Sequence, residues 1–144
     1  MSTLVIDTIQ GKTTAGSINV RGEGSNNTNL QHGLVKAWMS MNGSSTIALH
    51  DSFNNASITD NGSGDYTQAF TNSMSNDDYS LVGAVRAQST PYLNGLMIGH
   101  TNTGDKSAFL STANIRVTTN YAHASSGARE DRSIVNTQIT GDLA

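Results

Sequence analysis

The sequence predicts an all-β chain, an antiparallel β-sandwich of jelly-roll-like kind with a short extended N-terminal arm. Apolar residues recur at every second position in several short runs, and clusters of Gly, Asn and Asp separate those runs at intervals of about eight to twelve residues. No stretch carries a convincing helical period. The composition agrees, because 144 residues suffice for one core, yet only 35% are hydrophobic and 13% charged, with Ser, Thr, Asn and Gly filling the remainder. So lean an apolar content suggests that identical neighbours supply part of the core.

The N-terminal segment divides from the rest. Two apolar-rich runs, Leu4 to Ile9 and Ser17 to Arg21, flank the turn-forming "GKTTAG" and are expected as strands. The following "GEGSNNTN", Gly22 to Asn29, has almost nothing to bury and is expected as a loop. Residues 1–29 thus form an arm and linker, and residues 30–144 the sandwich. Because an isolated hairpin is marginal in water, the arm should dock elsewhere, chiefly through Leu4, Val5 and Ile6.

From Val35 the alternation is plain: Val35, Ala37, Met39 and Met41 interleave with Lys36, Trp38 and Ser40. "TIALHDSF" repeats it, and Asn42-Gly43 between the two runs suits a tight hairpin whose turn requires positive φ. "DYTQAF" and "YSLVGAVRA" give two more strands across "TNSMSNDD"; "GLMIGH", "AFLSTANIRVTTNYA" and "RSIVNTQITGDL" complete the set. Trp38 alternates out of phase with Met39 and Met41, so both faces of that strand carry large apolar groups. Such a strand lies inside a sandwich or has its second face covered by a partner chain.

The bulk charge excludes several functions. A net charge of −3 and no alternation of basic and aromatic residues leave nothing to neutralise a run of phosphates, so nucleic acid is not an expected partner. The absence of cysteine removes disulfides, thiolate metal sites and a cysteine nucleophile. "MSTLVIDTIQGK" lacks the basic and apolar regions of a signal peptide, and no run is long enough for a membrane helix.

Candidate chemistry is sparse. His32, His50, His100 and His123 lie far apart, without the close spacing of a local metal site, and each reads as a polar surface or turn residue; in a trimer, where one histidine per chain can converge on the axis and bind a metal, His50 would be the candidate. "DNGSGD", Asp60 to Asp65, looks like a calcium loop, yet glycines occupy two positions where side-chain oxygens belong, and Thr71 stands where the pattern wants Glu. It is read as a turn using the positive φ of glycine. Asp51 follows His50 directly on a strand, where neighbours point to opposite faces and cannot act as a dyad. Asp77-Asp78 reads as a solvated turn, and "SSGAREDR", Ser125 to Arg132, as an exposed loop with local or intersubunit ion pairs. The sequons at Asn26, Asn42, Asn55 and Asn61 read as turn chemistry. No cofactor, metal or catalytic residue is expected.

The run Asn29 to Val85, through "NLQHGLVKAWMSMNGSSTIALHDSF", "SITDNGSGDYT" and "NSMSNDDYS", resembles a module of tail-fibre-like and other structural proteins of marine and cyanobacterial bacteriophages. The opening "STLVIDTIQGKTTAGSI" and the closing "SIVNTQITGD" resemble the same group, although His32 and Ser73-Met74 depart from its wording. The resemblance implies a β-rich, trimeric component of the virion, assembled in the host cytoplasm, with no catalytic residue. The expected function is a non-enzymatic tail-fibre or adhesin-like module, docked by its arm on another virion protein and displaying a homotrimeric β-domain toward a host-surface glycan. The alternative is a capsid decoration protein cementing the shell; a polysaccharide-degrading enzyme is a distant third, since the chain is short and lacks clustered carboxylates.

Overall fold

A computed structural model describes residues 3–12, 17–21, 25–86, 93–99, 106–123 and 126–143. The chain forms two compact units that divide between Leu34 and Val35.

In the first unit, β1 (Asn19–Arg21) pairs antiparallel with β2 (Asn27–Asn29), Val20 opposite Thr28. A single helical turn, Leu30–Gly33, follows, with the Asn29 side chain accepting the His32 N–H at 3.4 Å. Two expectations are corrected here. Leu4 to Ile9 belongs to no strand, because strand propensity in the sequence does not by itself supply a pairing neighbour. Asn27–Asn29, expected as loop, is a strand: pairing with β1 satisfies its backbone even though it buries little apolar surface. The helical turn stays with the arm, so the unit boundary falls past Asn29.

The second unit is an antiparallel β-sandwich. One sheet has the order β4 (Ala48–Phe53), β3 (Val35–Asn42), β11 (Val135–Thr140), β7 (Ser80–Val85). The other contains β5 (Asn55–Gly62), β6 (Asp65–Phe70), β8 (Leu93–Ile98), β9 (Asn114–His123) and β10 (Ser126–Arg129). Thr118 pairs with both Asp65 and Met97, so β6 and β8 lie on opposite edges of β9. Thr119 donates its N–H to Gly64 and accepts the Glu130 N–H, which places β6 and β10 end to end along one edge. β7 pairs with β11 in one sheet and β8 with β9 in the other, so the consecutive strands β7 and β8 belong to different sheets.

The core lies between the sheets. Ala37, Met39, Met41, Val135 and Ile139 from one meet Tyr66, Phe70, Ile115 and Val117 from the other, with Met74 and Tyr79 closing one end. Phe70 and Tyr79 meet edge to face at 5.8 Å. Period-two alternation produces this directly: β11 reads Val135, Thr137, Ile139 inward and Asn136, Gln138 outward. Inside, the Thr137 hydroxyl donates to Gln68 Oε1 at 2.8 Å, one polar tie between the sheets.

The β3–β4 connection corrects the turn expectation. Ser45, not Gly43, adopts positive φ (60°), held beside an Asn42 side chain that bonds both N–H and C=O of Ser44. Gly43 is required for a different reason, since a Cβ there would lie 2.6 Å from the Tyr66 hydroxyl oxygen. The crossing from β4 to β5 turns on Asn54 (φ 53°), whose amide donates to Lys36 O and Asn72 O and accepts the Asn72 N–H at 2.6 Å. No helix among the described residues is long and apolar enough to cross a membrane.

Candidate functional site

The two segments with the densest chemistry in the sequence come together, and they hold the fold. Gly62 (φ 125°) and Gly64 (φ 61°) make the β5–β6 turn, and Asp60 accepts the Gly62 N–H at 2.9 Å. The carboxylate of Asp65 faces protein: Arg116 binds it bidentately at 2.7 and 2.8 Å, Arg129 reaches its second oxygen, and Asn61 lies within 3.5 Å. Burial alone would raise the Asp65 pKa, but the bonds and charges of Arg116, with the charge of Arg129 and the Asn61 bond, hold it below the ordinary carboxylate value. One step on, Asp131 accepts the Gly64 N–H at 2.6 Å and stands 2.9 Å from the Tyr66 hydroxyl, which is equally close to Gly43 O. Burial first, and Asp131 next, push the Tyr66 pKa up.

"SSGAREDR" is therefore no exposed loop. Its described residues enter β10 and then fold inward, Arg132 being fully buried and paired with Glu130 at 2.9 Å. The ion pairs are intramolecular because Arg129 and Asp131 face the turn that begins β6. Asp77 and Asp78 receive the exposed Lys106 ammonium, which their hydrogen bonds hold above the ordinary lysine pKa. His32 and His50 are exposed, the latter displaced by a bulge in β4. His100 and the His123 side chain lie outside the described residues.

What faces solvent is different in kind. On the arm, Leu4 and Val5 are 80% and 86% exposed, and Ile6 and Ile9 are also exposed. On the sandwich, Met39 and Met41 enter the core while Trp38 turns to the outer face of the four-stranded sheet, half-buried. The pairing registers align Phe53, Trp38, Gln138 and Val82 in one row across all four strands. The next row is Asp51, Ser40, Asn136 and Ala84. Phe53 and Val82 are 51% and 69% exposed, and the face is hollowed into a groove of about 420 Å3 lined by Trp38, Ser40, Val82, Asn136 and Gln138 among others.

Sequence reasoning singled out Trp38 but missed Phe53, Asn136 and Gln138. The alternation of "IVNTQIT" carried the signal for the last two, which are the polar phase of an otherwise apolar strand. Comparison with protein-family models, curated proteins and solved structures finds no match for this chain.

Proposed function

We propose that the chain is a non-enzymatic structural protein of a bacteriophage particle, a tail-fibre or adhesin-like module. It attaches through its N-terminal arm to another virion protein and displays the β-sandwich, as a homotrimer, for contact with the host surface. The observation that carries this reading is the exposure of Leu4, Val5 and Ile6 in a segment that belongs to no strand. Such a run has backbone donors and acceptors to offer a partner sheet, and its apolar side chains would gain burial on pairing. The polar clusters support a non-catalytic role, since Asp65, Asp131 and their arginines are turned to protein donors and acceptors in a fold-holding lattice. The resemblance of Asn29 to Val85 to phage structural modules supplies the biological setting.

Deleting residues 2–21 tests the arm. The truncated chain should fold and yet fail to join the particle; full incorporation would overturn the docking role. Copy number in purified virions tests the location, because a number matching the shell subunits would overturn the tail reading in favour of capsid decoration.

A further inference from the structure

We infer that the outer face of the β4–β3–β11–β7 sheet is a saccharide-binding platform, selective for neutral sugars, with Trp38 as its stacking surface. The inference rests on the reading of the sandwich as the displayed, recognising part of the molecule, and supplies the ligand class for it.

Three features identify the occupant. A sugar ring presents an apolar C–H face and a rim of hydroxyls, so it is held by an aromatic plane flanked by planar amides or carboxylates. Here Trp38 has Phe53 directly across on β4 and Gln138 directly across on β11, with Asn136 and Ser40 in the adjoining row. Both amides are exposed, and Trp38 is half-buried, so the ring is already held in place and little ordering is needed on binding.

Charge narrows the class. Among the eight side chains of the two rows, Asp51 is the only charged group, and no Lys or Arg is present. Within these two rows a sulfated, phosphorylated or sialylated chain would meet Asp51 and no cation, whereas a neutral hexose or N-acetylhexosamine meets the hydrogen-bonding Ser40, Asn136 and Gln138 beside the apolar Trp38, Phe53 and Val82.

Size argues against a second copy of this chain as the occupant. Four strands about 4.8 Å apart and up to eight residues long present on the order of 500 Å2, short of the roughly 800 Å2 per partner of a stable protein interface. The groove suits a few sugar rings better than a protein surface.

Trp38 is the single tryptophan, so its emission reports directly on this face. The full chain would be titrated with hexasaccharides of glucose, mannose, galactose and N-acetylglucosamine, and with a sulfated hexasaccharide as the charged control. At least one neutral probe should shift the emission saturably, and the sulfated probe should not. Gln138→Ala and Asn136→Ala should each weaken that titration by about tenfold, as loss of a hydrogen bond to a ligand does, with thermal stability unchanged. Failure of all four neutral probes, a response only to the sulfated one, or a response indifferent to both amide variants would overturn the inference. So would emission that shifts with protein concentration alone, since a second copy would then cover the face. Arm truncation and copy number are read independently of this titration, so failure here leaves the virion reading to stand or fall by its own tests.

Discussion

Asp65→Asn is the substitution that should cost this fold most for the smallest change in shape. The wild-type carboxylate is 2% exposed, gripped by Arg116 on β9 and Arg129 on β10, and so ties three strands at one point. Removing one partner of a buried ion pair typically costs about 3–5 kcal/mol, because the remaining charge is left without compensation. Here the two arginines retain 35% and 32% side-chain exposure and can recover some hydration, which lowers the expectation to about 2–3 kcal/mol. Part of that arises from bringing two guanidinium groups together over a neutral amide. For a chain of this size the loss corresponds to a fall in Tm of roughly 5–10 °C, measured by circular dichroism or calorimetry, with urea unfolding as the second measure. The double variant Asp65→Asn/Arg116→Gln should lose less than the sum of the single losses, because the residues act as a unit. A single-variant loss under about 0.5 kcal/mol, the range of ordinary surface substitutions, would refute the claim that this cluster holds the sheet.

The same geometry yields further expectations. Gly64→Ala should destabilise more than Gly62→Ala, since both have positive φ but only at Gly64 would a Cβ fall 2.6 Å from Glu130 N and Thr119 O; matched urea midpoints would contradict this. Met39→Ala, emptying a 1% exposed core position, should cost about 2–5 kcal/mol in unfolding free energy. The pH profile should fall at both ends. Asp65, with its pKa held down, contributes stability that is present above the ordinary carboxylate value of 3.8 and lost as pH drops through its lower folded value. Tyr79, pushed up to about 12 by burial, contributes stability that is present below pH 10 and lost between 10 and 12, and unfolding midpoints across pH 3–12 check both limbs.

The sandwich was legible in the sequence because its signal is local. Each strand's inward phase, such as Ala37, Met39, Met41 or Val135, Ile139, is written in consecutive alternate letters, and the turns after β4 and β5 carry Asn54, Gly62 and Gly64 for reasons of φ. What was not legible depends on distance. Asp65 and Arg116 lie far apart in sequence and meet only because β6 pairs with β9 in one register. "AREDR" therefore read as a charged loop, when Arg129 pairs with Asp65, Asp131 holds the Gly64 N–H and the Tyr66 hydroxyl, and Glu130 and Arg132 pair with each other. The Leu4 to Ile9 run misled in the opposite sense, because strand propensity reports fitness for a sheet and not the presence of a neighbour. Likewise Trp38 announced a two-sided strand, but Phe53, Gln138 and Val82 joined it through pairing with three other segments.

This division of polar groups carries a consequence for binding. Asp65, Glu130, Asp131, Arg116, Arg129 and Arg132 balance one another within the second unit, and two of them are buried. The two rows around Trp38 on the other sheet carry amides, a hydroxyl, apolar groups and one carboxylate. Recognition there should therefore be insensitive to ionic strength, because a neutral sugar carries no charge to be screened. Titrating the best neutral hexasaccharide at low salt and again near 1 M NaCl, where the screening length shrinks to about 3 Å, should give the same midpoint within about twofold. A severalfold weakening would mean that a charged group elsewhere on the molecule reaches the ligand, and the binding surface would have to be redrawn around it.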